Sequence, residues 1–190
     1  MVSLQVERIT IPFQKNLLVR WKERDVSLVP EYALNRDGKG ISRGYGFGEW
    51  LAEAYFRNKG YYIINNEFDL FSKKSKYKIY NDIIALMIGK ERIDTFKKVT
   101  NSLYEKGYKT ENIDLFIYNT DSFFFAEAKK GKDRLREEQL RFMFLVKEIL
   151  QAECKLVYLS DVDTEISSEV MSYLVDLPEN LFEGGINSAT

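Results

Sequence analysis

The segment that most constrains this chain is Phe123-Phe124-Phe125-Ala126-Glu127-Ala128-Lys129. Alternate side chains of a strand share a face, so Phe123, Phe125, Glu127 and Lys129 point one way and Phe124, Ala126 and Ala128 the other. A strand this apolar on both faces belongs in the middle of a layered domain. A carboxylate and an ammonium at the end of such a strand need partners, because losing water without one is costly for a charge. Asp114 stands on the preceding predicted strand, Ile113–Tyr118. The polar turn Asn119-Thr120-Asp121-Ser122 between them allows a hairpin that sets Asp114 beside Glu127.

Composition narrows the chemistry open to these residues. The 190 residues include no histidine, which excludes His-dependent triads, proton shuttles and His zinc sites. The single cysteine, Cys154, excludes disulfide frameworks and Cys-type metal clusters and is expected to be a small core residue. Catalysis must then use carboxylates, lysine, tyrosine or serine, or a hard metal ion held by oxygen. A net charge of -1 gives no general attraction to nucleic acid, so such binding needs a local basic patch. No apolar run is long enough to span a bilayer and residues 1–4 do not resemble a signal peptide, so a cytoplasmic protein without membrane contact is expected.

The rest of the chain reads as an α/β domain with a mixed sheet flanked by helices. Residues 1–40 are expected to be a strand-rich N-terminal extension, with Leu17–Trp21 as a second short strand. A core over 41–160 carries a helical insertion at about 72–110, and 161–190 form a tail with a short helix. Within the core a helix is predicted from Gly46 to Gly60, a strand over Tyr61–Phe71, and an amphipathic helix through Ile93, Phe96, Val99 and Leu103. A helix from Arg134 to Ala152, with Asp133 as its N-cap, precedes a strand at Leu156–Leu159. The run Gly44-Tyr45-Gly46-Phe47-Gly48 lacks the Lys-Ser/Thr ending of a phosphate loop, so no nucleotide cofactor is expected.

Asp114, Glu127 and the Ala128 carbonyl make an oxygen-ligand set suited to Mg²⁺ or Mn²⁺. Lys129, two residues on, can reach a metal-bound water and a scissile phosphate, which is the equipment metal-assisted phosphodiester hydrolysis requires. Gln139 falls on the apolar stripe Leu135, Phe142, Met143, Val146, Ile149 and Leu150 of the following helix, and a buried amide must be hydrogen-bonded. Phosphate contacts are expected from Arg43, from Lys73, Lys74 and Lys76, and from Lys130, Lys132 and Arg134.

These residues resemble the PD-(D/E)XK nuclease superfamily, whose signature is an Asp on one strand and Glu-x-Lys on the next. Within it, the run from Lys129 through Gly131 and Asp133-Arg134-Leu135 to Gln139 is similar to the virus-type replication-repair nuclease (VRR-NUC) domain. Arg43-Gly44, Glu49 and the closing Gly60 resemble the first helix of archaeal Holliday-junction resolvases. The resemblance covers residues 43–71 and 111–160. It implies a restriction-endonuclease-like fold with Asp114 and Glu127 as metal ligands, Lys129 as the water-orienting residue, Gln139 as a helper and Glu49 as an additional acid. It implies a Mg²⁺-dependent deoxyribonuclease acting on structured or branched DNA, in repair or recombination, and leaves a homodimer open. Where that superfamily has Gly and Pro before its first Asp, this chain has Glu111-Asn112-Ile113, and Asp69 stands as an alternative acid. The competing reading is a non-catalytic module of the same fold that binds nucleic acid or a protein.

Overall fold

Alternation of apolar residues changes phase inside the first strand, and that shift outlines the architecture. In the computed structural model, which describes residues 1–29, 46–65, 67–161, 165–179 and 181, the chain begins with strand β1, Val2–Pro12. Helices α1 (Lys15–Lys22) and α2 (Phe47–Arg57) precede a short strand, β2 (Tyr62–Asn65). A single 3₁₀ turn, Ser75–Tyr77, leads into α3 (Lys78–Ile88) and α4 (Lys90–Glu105). The hairpin of β3 (Leu115–Tyr118) and β4 (Phe123–Lys130) follows, then α5 (Glu137–Leu145), β5 (Glu153–Ser160) and β6 (Ser167–Val175). The six strands form one sheet in the order β2-β3-β4-β5-β1-β6. β4, β5 and β1 run parallel, and the remaining neighbours pair antiparallel. The fold is therefore α/β with a mixed sheet and helices on both faces, as the alternation of elements predicts.

One face carries Leu4 and Val6 of β1 together with Phe116, Phe125 and Leu156, under Ile84, Phe96, Leu103, Phe142 and Met143 of α3, α4 and α5. The other carries Ile9 and Ile11 of β1 with Leu115, Phe124, Ala126 and Val157, under Trp21, Phe47, Ala52 and Phe56 of α1 and α2. Each fully buried large apolar side chain contributes about 1.5–3 kcal/mol. The two helical layers are offset along β1, so its buried positions pass from even to odd numbers, and Arg8 sits where the α3–α5 cover ends.

Several expectations need correction. Val2–Pro12 is no extension: β1 is an inner strand paired with β5 on one side and β6 on the other. Residues 17–21 lie within α1, where Trp21 packs under the sheet, instead of forming a strand. The C-terminal segment supplies β6, paired with β1 from Val2↔Val175 to Thr10↔Ser167, where a short helix was expected. Helices α3 and α4 bury Ile84, Ile88, Ile93, Phe96 and Leu103 in the main core, so the 72–110 segment covers the sheet. β2 ends at Asn65, and Asp69 lies in the turn beyond it. There the Asp69 carboxylate accepts the Phe71 N–H at 3.0 Å, and Asn81 bonds both the N–H and the C=O of its backbone.

α5 starts at Glu137 with Arg136 at the N-cap, three residues later than the Asp133 cap expected. The Asp133 N–H is instead spent on the Lys130 carbonyl in a turn (3.1 Å) that Gly131 enables with φ 62°. Every residue of α5 from Gln139 to Leu145 is buried. Arg141 is accommodated because its guanidinium donates to the carbonyls of Asp176 (2.8 Å) and Lys109 (3.0 Å). The helix continues through a π turn, Val146–Leu150, and stops at Gln151 in the left-handed region, φ 52°. Among the described residues no helix is long and apolar enough to cross a membrane.

Candidate active site

The β3–β4 hairpin pairs Leu115 with Ala126, so the next step outward sets Asp114 against Glu127. Two reciprocal hydrogen bonds lock that step. The Asp114 N–H donates to Glu127 Oε2 at 3.2 Å, and the Ala128 N–H donates to Asp114 Oδ2 at 3.0 Å. In an extended strand a residue's N–H and C=O point to the same edge, so the Ala128 carbonyl faces the Asp114 side too. The expected juxtaposition of Asp114, Glu127 and Ala128 is what the hairpin brings about. It lies at the carboxyl ends of the parallel strands β4 and β5, where open α/β sheets leave room for ligands.

Glu127 is 2% exposed, and its second oxygen is shared by two donors. Lys129 Nζ reaches Oε1 at 2.7 Å and Gln139 Nε2 reaches the same atom at 2.5 Å. Gln139 therefore bridges two groups: its amide nitrogen holds the carboxylate, while its Oε1 accepts the Arg136 N–H at the start of α5 (3.2 Å). Arg136 in turn pairs with Glu111 at 2.7 Å, and the Glu111 N–H bonds the Glu138 carbonyl at 3.1 Å. The first turn of α5 is therefore pinned to the segment leading into β3, which fixes Gln139 relative to Asp114.

Glu49 enters from the opposite helical layer, in the first turn of α2. Its carboxylate folds back over Gly46, where an added Cβ would stand 2.5 Å from Oε2, so a side chain at that position would displace the Glu49 carboxylate. Gly48 passes over Ala128 and Leu159, bringing the start of α2 across the end of β4. Three carboxylates then share a single ammonium, Lys129. Asp114, half-buried at the end of the hairpin, has its pKa raised well above the usual 3.8, first by burial and then by the charges of Glu127 and Glu49. The Ala128 N–H and Lys129 oppose that rise. Glu49 is also raised, by burial and then by Glu127, against backbone hydrogen bonds from its own amide and from Gly46.

A surplus of acid with oxygen-only donors is the chemistry of a site for a hard divalent cation. Among the described residues no three acidic side chains stand together as a complete metal-binding group. What fits is two carboxylates, Asp114 and Glu127, with the Ala128 carbonyl, a partial set of the kind that suits Mg²⁺, which keeps several of its waters. Glu49 is close enough to be felt electrostatically by both acids.

The expected phosphate-binding residues separate into groups. Lys130 follows the site directly and holds its ammonium 5.9 Å from the centre of the Phe47 ring. Lys132 and Arg134 are exposed on the loop between β4 and α5. Lys73, Lys74 and Lys76 are exposed around the turn before α3, with Lys76 over the ring of Tyr77 at 4.3 Å. Arg43 lies outside the described residues. The sequence reading missed Arg8, which projects from the same sheet face as Glu127, two strands away. Its signal was an arginine continuing the even-numbered series Leu4, Val6 on a buried face.

Comparison of the chain with protein-family models, with curated proteins and with solved structures gave no match.

Proposed function

We propose that this protein is a metal-dependent nuclease of the PD-(D/E)XK type that hydrolyses phosphodiester bonds in DNA. The observation that carries the proposal is the interlocked Asp114–Glu127 pair at the hairpin end, with Lys129 and Gln139 on one carboxylate oxygen. Asp114, Glu127 and the Ala128 carbonyl would hold Mg²⁺ or Mn²⁺. Such an ion supplies Lewis-acid stabilisation of the phosphoryl oxygens and lowers the pKa of water.

The chain's own residues do the positioning. Lys129 uses one of its three N–H donors on Glu127 and has two left for the attacking water and a phosphate oxygen. Gln139 keeps Glu127 in a single orientation, which matters because a small misplacement of reacting groups is expensive in rate. The water oxygen bonds to phosphorus and gives up a proton to solvent, and the phosphorus–oxygen bond to the leaving strand breaks. That oxygen departs with the electron pair and takes a proton from solvent. Glu49, whose pKa burial raises above the usual carboxylate value, stands beside Asp114 as an additional acid.

One observation favours a second reading. The Glu127–Lys129 ion pair is already closed, as it would be in a binding module that retains the fold without chemistry. Cleavage of labelled duplex, single-stranded and branched DNA with Mg²⁺ or Mn²⁺, beside the Glu127→Ala protein, separates the two. The nuclease reading expects metal-dependent cutting that is lost in the variant. Absence of cutting on every substrate, together with a melting temperature that metal leaves unchanged, would overturn it in favour of the binding module.

A further inference from the structure

Beside the acidic cluster, on the same face of the sheet, lies a concavity of about 700 Å³ that shares Lys129 with it. It opens where α5 stops covering β5, β1 and β6. Its floor is apolar and aromatic, with Leu156, Tyr158, Met171 and Tyr173, and its rim carries Arg8, Lys129, Lys132 and Arg134. Asp133 is the acid on that rim.

Arg8 is the residue that gives the concavity a direction. Register carries Glu127 to Leu156 on β5 and Leu156 to Arg8 on β1, so Arg8 stands two strand spacings, about 10 Å, from the catalytic carboxylate. Its guanidinium lies over the Tyr158 ring at 4.1 Å, and the Tyr158 hydroxyl donates to the Gly131 carbonyl, tying this wall to the loop that bears Lys132. Glu169 approaches Arg8 NH1 only to 3.5 Å and is itself largely exposed. Arg8 Nε is buried with no hydrogen-bond partner. A buried guanidinium N–H without an acceptor is rare and calls for a ligand oxygen.

We propose that this concavity holds one unstacked nucleotide of the DNA strand next to the scissile phosphate. The base would lie against the Arg8 plane and the Tyr173–Met171 floor, and its phosphate would sit among Arg8, Lys132 and Arg134. Aromatic rings and arginine planes stack bases without regard to sequence, and lysine and arginine neutralise phosphates. A base inside a paired helix cannot enter such a recess, so the substrate is single-stranded, frayed or flapped at this point. The inference deepens the nuclease reading and rests on it for the substrate class alone.

Fluorescence anisotropy with a labelled oligothymidylate and a blunt duplex, in chelator, tests the pocket apart from the chemistry. The strand is expected to bind more tightly than the duplex. Arg8→Gln and Lys132→Glu should each weaken strand binding about tenfold. Each should also reduce the slope of log affinity against log salt by about 0.7, the share of one phosphate on a single strand. Lys132 is exposed, so its variant folds normally even if the Arg8 variant does not. Unchanged binding in both variants, equal affinity for duplex, or equally strong competition by free thymidine monophosphate would overturn the pocket. DNA cutting that persists with unaltered KM in both variants leaves the nuclease and removes the pocket. Strand binding that falls in both variants while no DNA is cut does the reverse.

Discussion

Two buried glutamates, Glu53 on α2 and Glu127 on β4, look equivalent one contact at a time. They are 5% and 2% exposed. Glu53 takes two hydrogen bonds from Arg57, at 2.8 and 2.6 Å, and one from the Asn65 amide at 3.2 Å. Glu127 takes one from Lys129, one from the Gln139 amide and one from the Asp114 N–H. The difference lies in the surroundings. Arg57 is 54% exposed and reaches water, whereas the Lys129 side chain is 12% exposed and faces two more carboxylates, Asp114 and Glu49. Local hydrogen-bond satisfaction therefore does not distinguish a structural acid from a candidate catalytic one. A surplus of like charge does, because no folding advantage comes from crowding acids.

The largest effect that could break this contrast is metal binding. Mg²⁺ or Mn²⁺ at a hundred times its dissociation constant should stabilise the folded chain by about 2.7 kcal/mol, which is about 5–10 °C in melting temperature for a chain of this size. Glu127→Gln should abolish the rise and Glu53→Gln should leave it intact. An equal rise in both variants would place the ion somewhere other than the crowded cluster. Next in size is Gln139→Met, which removes the amide from Glu127 and the acceptor from the Arg136 N–H. It should weaken metal affinity about 10–100-fold, as loss of an orienting partner typically does. Calorimetric titration of the variant measures this, and wild-type affinity would reduce Gln139 to packing.

The hairpin was legible because strand alternation and a polar turn are local signals, and Asp114, Glu127 and Lys129 follow from them. Gln139 was legible as a polar residue on an apolar stripe, although its partner was not. The roles of β1 and β6 were hidden because their pairing joins residues far apart along the chain, and no local pattern encodes that. The phase shift between Val6 and Ile9 read as imperfect alternation, when it records two offset helical layers. The start of α5 was misplaced because Asp133 is a strong N-cap residue by type, while Gly131 and the Lys130 carbonyl commit it to a turn. Asp69 sits in an apolar stretch that suggests a longer strand, but the chain leaves β2 after Asn65 to reach α3.

A mid-sized effect sharpens the structural half of the comparison. Glu53→Ala takes one carboxylate partner from Arg57, whose side chain is 54% exposed to water, and leaves Asn65 with one amide bond fewer, so the cost should be about 1.5 kcal/mol. That is below the penalty for stranding a buried charge, because Arg57 is not stranded. Urea denaturation checks it, with DNA cleavage expected to stay at the wild-type level. A cleavage defect of the Glu127 type would erase the distinction between the two glutamates.

The smallest effect concerns the free energy stored in the crowded cluster. Asp114 and Glu49 keep their protons to higher pH in the folded chain than in the unfolded one, whose carboxyls titrate near 3.8 and 4.5. Between those values and the raised ones these two groups hold more protons in the folded state, so their contribution to metal-free stability falls as pH rises, against the opposite contribution of Glu7, Asp25 and Asp94, whose carboxyls are lowered. The slope approaches about 1.4 kcal/mol per pH unit for each proton so held. Asp114→Asn removes that share and relieves repulsion on Glu127 and Glu49. In chelator at neutral pH it should therefore be more stable than wild type, by about 1 kcal/mol, while losing the metal-dependent gain. Urea melts of both proteins across the acidic range read the sign directly. A pH dependence of Asp114→Asn no different from that of metal-free wild type would mean that Lys129 and the Ala128 N–H cancel the repulsion, which would make the cluster an ordinary ion pair like that of Glu53.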